Sequence, residues 1–260
     1  MANRLGRIAA WLWSGWRGLA GLALFAALWR AASELYGDFI LPDPMATARQ
    51  VGMILRESSN HMAIVNTLSV SLQGFVAALV IGVGGGVIAG YSPVFRGVTR
   101  PVLTMALATP PVAWIVLAII WFGSGQGSVM MAVVVALTPL FFINAAQGIV
   151  TRDSKLDDMA KAFGVPIHRR IATLGVRQAF QFLIPTMRVC LGSAFKVAVM
   201  AELLAGAGGI GRALARARDG LDMEATLAWI VIAISGVVVI ERLLIQPLAV
   251  LLERWRASSL

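Results

Sequence analysis

The sequence predicts an all-α, polytopic membrane protein with six transmembrane helices. Of its 260 residues, 58% are hydrophobic and 13% are charged, whereas about a quarter of the residues in an average soluble domain are charged. The mean hydropathy is +0.80. A helix needs about 20 predominantly apolar residues to cross a bilayer. Six segments meet that requirement: 17–36, 65–90, 102–122, 127–150, 180–205 and 226–252.

The first segment has the basic start and apolar centre of a signal peptide, but no clear small-residue cleavage site precedes a soluble domain. We therefore interpret 17–36 as an uncleaved first span. An excess of Lys and Arg marks the cytoplasmic loops, and with the N-terminus inside there are thirteen such residues on the inner side and five on the outer side. Both termini are therefore expected in the cytoplasm. The inner residues are Arg4, Arg7, Arg17, Arg96, Arg100, Arg152, Lys155, Lys161, Arg169, Arg170, Arg177, Arg254 and Arg256, and the outer ones are Arg49, Arg56, Arg212, Arg216 and Arg218.

This topology divides the chain into four parts. A cytoplasmic segment with the first helix (1–40) is followed by an extracytoplasmic loop (41–64), a transmembrane domain of five helices (65–250) and a cytoplasmic tail (251–260). Within the transmembrane domain, residues 151–179 form a long cytoplasmic loop.

Composition excludes several function classes. The single cysteine, Cys190, lies in an apolar run, so neither a disulfide framework nor a metal cluster is expected. His61 and His168 lie outside apolar runs, so a zinc site or a histidine-dependent intramembrane hydrolase lacks its parts. The basic residues behind the net charge of +9 are scattered between apolar runs, which indicates anionic lipid rather than nucleic acid as their partner.

Small residues recur every four positions in the second span, at Gly74, Ala78, Gly82, Gly86 and Gly90. Residues four apart lie on one face of a helix, and small side chains let transmembrane helices approach closely. The pattern predicts a helix-packing face and gives these glycines no catalytic meaning.

Prolines interrupt the next two spans. Pro110 and Pro111 stand in the middle of the third, and Pro139 stands in the fourth together with Asn144. Proline removes a backbone donor and disrupts the preceding turn, and carbonyls freed at membrane depth require protein or a water-filled cavity beside them. Two interpretations stay open, a kinked packing helix and the lining of a translocation pathway.

Arg188, Lys196 and Glu202 all fall within the fifth span. Ionisable residues inside a membrane are costly and are functional candidates by default. Lys196 could contact an anionic substrate; alternatively Arg188 snorkels toward the cytoplasmic end and Glu202 pairs inside the bundle. The candidate pathway residues are Pro110, Pro111, Trp114, Asn144, Lys196 and Glu202.

The sequence contains no nucleotide-binding motif of its own. Residues 206–211, GAGGIG, match G-x-G-x-x-G in spelling but follow a transmembrane helix rather than a strand. A phosphate loop requires Gly-Lys-Ser/Thr, and the only lysines follow Ser154, Ala160 and Phe195. We therefore expect no enzymatic activity, no cofactor and no metal in this chain.

A charged segment, DDMAKAFGVPIHRR at 157–170, lies between the fourth and fifth spans. Ser154 and Asp157 are arranged as a capping box and predict a helix start. Leu156, Met159, Ala160 and Phe163 then form one apolar stripe. Gly164 predicts the end of this helix, and Pro166 the first turn of a second one with Ile167, Ile171 and Leu174 on its apolar face.

A first helix of about ten residues is too short to be stable alone in water, so its stripe must dock on lipid, on the bundle or on a partner. Asp153, Asp157 and Asp158 outnumber Lys155 and Lys161 there, which disfavours an anionic membrane surface. Docking on the bundle and docking on a partner protein both stay open.

Residues 158–164, DMAKAFG, resemble the loop signature of binding-protein-dependent ABC importer permeases, EAA followed by three residues and Gly. Asp158, Ala160 and Gly164 match the signature, Met159 replaces its first alanine, and Arg177 stands where the family has a proline. ILPDP, NTLSVSLQGFVAALVIGVGGGVIAGYS, PPVAWIVLAIIWFGSG, FFINAAQGI and MAELLAGAGGIG also resemble the nitrate, taurine and alkanesulfonate branch, in order, over residues 40–255.

The resemblance implies a type I ABC importer permease fold in the bacterial inner membrane. It also implies a homodimer of this chain, two ATP-binding subunits that hold ATP and Mg, an extracytoplasmic solute-binding protein and a small substrate such as nitrate, taurine or an alkanesulfonate. The short helix would be the coupling helix that sits on the ATPase, and the loop at 206–211 would meet the binding protein. The implied coupling residues are Leu156, Asp158, Met159, Ala160, Phe163, Gly164 and Ile167, and the implied binding-protein contacts are Gly208, Gly209 and Gly211.

Two other classes were weighed against an importer permease. An ATP-independent secondary transporter or channel usually shows internal repeats, and none is apparent in the sequence. An intramembrane hydrolase needs a nucleophile and a base at membrane depth, and Ser124 in GSGQG has no histidine available to it.

Overall fold

The computed structural model describes residues 2–151, 154–170 and 176–242, excepting the side chains of 2–15, 17, 19, 154, 157, 167, 168 and 176–181. These residues form helices and no strand, which confirms the all-α prediction. The helices are α1 Ala2–Tyr36, α2 Pro44–Arg56, α3 Ser58–Tyr91, α4 Pro93–Ala108, α5 Pro111–Phe122, α6 Gln126–Val150, α7 Ser154–Ala162, α8 Ile167–Arg170, α9 Val176–Ala205, α10 Ile210–Asp219 and α11 Met223–Ile240.

Four described helices, α3, α6, α11 and the Phe182–Ala205 part of α9, are long and apolar enough to cross a membrane, and α4 with α5 makes a fifth if that bent pair counts as one span. They coincide with five of the six predicted spans. The predicted first span falls within α1, and the predicted sixth ends at residue 252, outside the described residues. The count of six, the four-part division and the side of the termini stay predictions.

The third predicted span, 102–122, was wrong as a single helix. The chain breaks between α4 and α5, whose axes meet at 100°. Thr109 and Pro110 have extended ψ values of 125° and 141°, because each precedes a proline and is pushed out of the helical region. Pro111 then opens α5, where its missing N–H costs nothing. The two adjacent prolines therefore stop one helix and start another.

The glycine face predicted in the second span packs against α6. A Cβ added to Gly74 would stand 2.7 Å from Val133 Cγ1, and one added to Gly82 would stand 2.6 Å from Phe141 Cβ. Gly86 and Gly90 meet Ala145 and Ile149 in the same way. The contact advances sixteen residues along each helix, from Gly74 to Gly90 and from Val133 to Ile149, so it covers half of α3 and most of α6. Backbone approach of this kind requires glycine.

Two apolar clusters hold the bundle together. The larger joins α3, α5, α6 and α9 around Phe141, Leu137 and Ile115. The smaller gathers α2, α10 and α11 against α9, with Ile54 and Trp229 buried in it. α2 occupies much of the predicted extracytoplasmic loop 41–64, and α3 begins at Ser58 rather than at residue 65. The loop is therefore largely helical, and α2 packs on α11.

Candidate functional site

The charged segment between the fourth and fifth predicted spans contains a short helix, α7, as predicted. Its end is a Schellman motif, because the N–H of Val165 donates to Ala160 O at 3.0 Å and the N–H of Gly164 donates to Lys161 O at 2.9 Å. Gly164 has φ +69°, a conformation that glycine adopts without strain. The chain then turns into α8, with the N–H of Arg169 donating to Pro166 O at 3.1 Å.

The apolar stripe of α7 is not buried against the part of the chain that the structure describes. Leu156, Met159 and Phe163 are 41%, 55% and 79% exposed. Asp158 pairs with Lys161 across one turn at 3.3 Å, with both side chains open to solvent. The sequence left two docking surfaces open for this stripe, the bundle and a partner protein. The described part of the bundle does not cover it. The side chain of Ile167 and residues 171–175, including Leu174, lie outside the described residues.

Lys196 lies on the exposed side of α9, nine residues before the end of the span at Ala205. It lines a groove of about 420 Å³ between α9 and α11 whose other walls are apolar, among them Phe195, Met200 and Ile234. No described carboxylate lies within ion-pair distance of its ammonium group. An ammonium group on an apolar groove at membrane depth is costly unless something polar or anionic comes to it.

Glu202, six residues further along α9, is fully buried. Its Oε2 accepts hydrogen bonds from Thr67 Oγ1 at 2.8 Å and from the N–H of Gly211 at 3.0 Å. Thr67 Oγ1 in turn accepts from the N–H of Ile210 at 2.8 Å. The first two N–H groups of α10 are thus satisfied by side chains from α9 and α3, since Gly209 at the N-cap has no side chain to do so. A carboxyl group at a helix N-terminus also suits the helix dipole.

The glycines of the 206–211 loop have separate positions. A Cβ at Gly209 would fall on the carboxyl group of Glu202, and one at Gly211 would stand 2.6 Å from Glu202 Cβ. Both residues are buried, whereas Gly208 is half-buried and a Cβ added there would meet only Asn66 Nδ2, at 3.9 Å. Gly209 and Gly211 therefore permit the close approach of Glu202, and of the three glycines predicted to contact the binding protein only Gly208 presents surface.

The remaining candidate pathway residues do not converge on one site in this chain. Pro110 and Pro111 are exposed at the α4–α5 break, and Trp114 is half-buried in α5. Asn144 donates from Nδ2 to Leu140 O of its own helix at 2.8 Å. Glu202 faces the α10 junction rather than the groove of Lys196.

Thr67 was not among the residues predicted from the sequence, and Arg96 and Arg100 were predicted only to mark the cytoplasmic side. Thr67 has no local signal, because its partners stand 135 and 143 residues away. Arg96 and Arg100 line a cavity of about 530 Å³ between α4 and α6. Their spacing of four residues on one helix face was the available signal. No cluster of three or more potential metal ligands occurs among the described residues.

Comparison with known proteins places this geometry in context. The family model described as a binding-protein-dependent transport system inner membrane component matches residues 82–256. The chain is 24% identical over 220 residues to the taurine transport system permease protein of Escherichia coli K12, covering 81% of this chain and 79% of that one. It is 26% identical over 224 residues to a putative aliphatic sulfonates transport permease protein of Bacillus subtilis, covering 84% and 80%.

A riboflavin transport system permease protein of Chloroflexus aurantiacus is 30% identical over 247 residues, covering 91% of this chain and 89% of that one. Among solved structures, the MetNI methionine ABC transporter in an inward-facing conformation superposes with a TM-score of 0.60 at 15% identity, covering 72% of this chain and 94% of that one. At that identity the superposition shows a shared fold.

Proposed function

The chain belongs to the family of binding-protein-dependent transport system inner membrane components, and on that premise we propose that it is the permease subunit of an ATP-driven importer in a bacterial inner membrane. It would work as a homodimer of six-span subunits with two ATP-binding subunits and an extracytoplasmic solute-binding protein. ATP and Mg would be held by the ATP-binding subunits. Membrane lipid surrounds the bundle, and nucleic acid has no part.

The exposed stripe of α7 carries this proposal. Leu156, Met159 and Phe163 leave a continuous apolar surface on a nine-residue helix, which is too short to be stable without a docking surface. The Schellman motif at Gly164 fixes where the helix ends, so the stripe is presented in one orientation. A groove on the ATP-binding subunit would bury it, with Ala160 and Ile167 alongside and Asp158 setting the register. Closure of two such subunits on ATP would then move α7 and the bundle together.

Phe163→Ala tests this docking. Phe163 is 79% exposed, so the substitution should leave the permease folded while weakening its binding to the ATPase subunit. Losing a central aromatic contact costs at least about 2 kcal/mol, roughly 30-fold in Kd. Phe39→Ala is the matched control, because Phe39 is 70% exposed and lies between α1 and α2. Equal ATPase binding by both variants would mean that α7 does not dock on the ATP-binding subunit. That result would favour the alternative of an ATP-independent secondary transporter or channel.

The substrate we propose is a small anion of the taurine, alkanesulfonate or nitrate type. Two of the relatives described above are named as transport permeases for taurine and for aliphatic sulfonates. Another relative, the nitrate import permease protein of Synechococcus elongatus, is 22% identical to the chain over 200 residues. Lys196, facing a groove without a described counter-charge, is the residue we propose to meet the anion. Pro110 and Pro111 at the α4–α5 break, Trp114 and Asn144 would line the pathway at separate points, because they do not converge on one site within one subunit.

Riboflavin is the second candidate, because the relative named for its transport matches the chain at 30% identity. Reconstituted transporter with its binding protein, offered taurine, an alkanesulfonate, nitrate and riboflavin separately, distinguishes the two classes. Substrate-dependent ATP hydrolysis with an anion supports the proposal. Hydrolysis with riboflavin alone would replace it.

At the outer face we propose that the 206–211 loop meets the binding protein through Gly208. Gly209 and Gly211 would act indirectly, by letting Glu202 hold the loop. With the native Cys190 replaced by serine, a cysteine placed at position 208 should crosslink to the binding protein, whereas one at position 84, which is exposed on α3, should not. Labelling of the position-208 cysteine from the cytoplasmic side only would show that the proposed orientation is inverted.

A further inference from the structure

The cavity of about 530 Å³ between α4 and α6 has a cationic rim and an apolar floor. Arg96 and Arg100 stand one turn apart on the same face of α4 and both line it. The floor is made by Leu103, Phe142 and Ala146, which also pack together as a small apolar cluster. Such a cavity offers two charged donors at its entrance and dispersion contacts below them.

No described residue neutralises the two guanidinium groups in the cavity. None of the described lining residues is acidic, and no described carboxylate lies within ion-pair distance of Arg96 or Arg100. The hydroxyl of Thr99 donates to Phe95 O at 2.8 Å and that of Thr104 to Arg100 O at 2.9 Å, both within α4. The rim is therefore built to receive an anion, and Arg forks bind phosphoryl oxygens in particular.

The cavity lies where a lipid can reach it. The opposite face of α4 carries Val94, Val98, Val102 and Met105, all more than 60% exposed, which suits a helix bordered by hydrocarbon. The cavity sits at the end of the bundle shared by the start of α4 and the end of α6, on the same side as α7. In the proposed topology this end is cytoplasmic, where acidic lipids and basic pockets between helices meet.

We propose that this cavity binds the anionic headgroup of an acidic phospholipid, with the phosphoryl oxygens on Arg96 and Arg100 and the glycerol end over Phe142. A soluble sulfonate shares the oxyanion chemistry, but the apolar floor favours an anion carried on a lipid. The site is separate from the groove of Lys196 and does not depend on which solute the protein transports.

The test measures lipid retention by native mass spectrometry on the purified full-length permease, delipidated and titrated with phosphatidylglycerol or phosphatidylcholine of identical acyl chains. The wild type should retain phosphatidylglycerol at least about tenfold better. The double variant R96Q/R100Q should lose that preference. R212Q/R216Q should keep it, since that pair has the same spacing on α10 and its side chains are exposed at the other end of the bundle.

Gly97→Leu provides a second variant that leaves both arginines intact. Gly97 lines the cavity and has nothing within 4 Å of an added Cβ, so a leucine there should fill the cavity and reduce phosphatidylglycerol retention without disturbing the fold. Unchanged retention in both R96Q/R100Q and Gly97→Leu, or equal retention of the two lipids by the wild type, would overturn the proposal. Displacement of the lipid by an equal concentration of free methanesulfonate would show that a soluble anion is the ligand, which would also overturn it.

Discussion

Replacing Thr67 by valine tests whether the buried junction between α3, α9 and α10 holds the outer loop. Valine has nearly the shape of threonine, so no cavity forms and only the hydroxyl is lost. That hydroxyl donates to Glu202 Oε2 at 2.8 Å and accepts from the N–H of Ile210 at 2.8 Å. Its removal leaves the N–H of Ile210 unpaired and the carboxyl group with one bond fewer, both in a fully buried place.

The magnitude follows from these two losses. Leaving the buried N–H of Ile210 without a partner costs about 1–3 kcal/mol, and losing one of the two hydrogen bonds to the carboxyl group costs about 0.5–1.5 kcal/mol. The two together cost about 1.5–4.5 kcal/mol. A domain of this size loses roughly 2–4 °C of melting temperature per kcal/mol, so Thr67→Val should melt at least about 3 °C below the wild type. Hydrogen–deuterium exchange should rise in the peptide that contains residues 206–214, because the first N–H group of α10, that of Ile210, loses its acceptor.

Two controls isolate the hydroxyl. Thr67→Ser keeps it and should retain slow exchange at Ile210 and Gly211. Ser71→Ala removes a buried hydroxyl one turn along the same helix that donates only to Leu68 O of its own helix, at 2.9 Å, and should cost little. If Thr67→Val melts and exchanges like Ser71→Ala, then the junction does not hold the loop and the reasoning from these bonds fails.

Three further substitutions have definite expected outcomes. Gly86→Ala should destabilise the protein by about 1–3 kcal/mol in thermal unfolding, because its Cβ would stand 2.7 Å from Ala145 Cβ. Gly84→Ala on the same helix has nothing within 4 Å of the added Cβ and should be neutral or stabilising. Equal effects of the two substitutions would contradict close packing of α3 on α6. Gly164→Ala should weaken ATPase binding roughly five- to thirty-fold, because φ +69° costs a residue with a Cβ about 1–2 kcal/mol, and unchanged binding would show that the Schellman turn does not orient α7. Lys196→Gln should raise the KM for anion uptake by about tenfold, whereas Lys196→Arg should leave the KM nearly at the wild-type value. A similar KM in both variants would show that Lys196 does not contact the substrate.

Features that depend on residues close together in the sequence were predictable. The positions of five apolar spans follow from runs of apolar side chains. A helix needs such a run to cross a bilayer, whichever other helices it packs against. The four-residue recurrence from Gly74 to Gly90 predicted a close helix contact, and α6 supplies it. The end of α7 at Gly164 was equally readable, because a Schellman motif is closed by residues within six positions of one another.

Local reasoning was less successful where several strong signals met. Pro110 and Pro111 were placed inside one span, with a kinked packing helix and a pathway lining both left open, but two adjacent prolines force two residues into extended conformations and the chain turns by 100°. Glu202 was left with two interpretations, a pathway residue and a partner inside the bundle, because its depth in the span does not say which face of the helix it occupies. α2 and α10 were not anticipated at all, because each is too short and too polar to register as a span.

The sequence by itself determined the membrane class, the approximate spans, the family and the presence of a short amphipathic helix between the fourth and fifth of them. Hydropathy, caps and glycine spacing act over a few residues, so they can be read without knowing the neighbours. Only the tertiary structure decided that Thr67 and Glu202, 135 residues apart, together cap α10. It also decided that the described part of the chain leaves the stripe of α7 uncovered, and that two arginines line a cavity against α6. Those outcomes depend on which helix faces pack together, a choice made by shape and hydrogen bonding across the whole bundle.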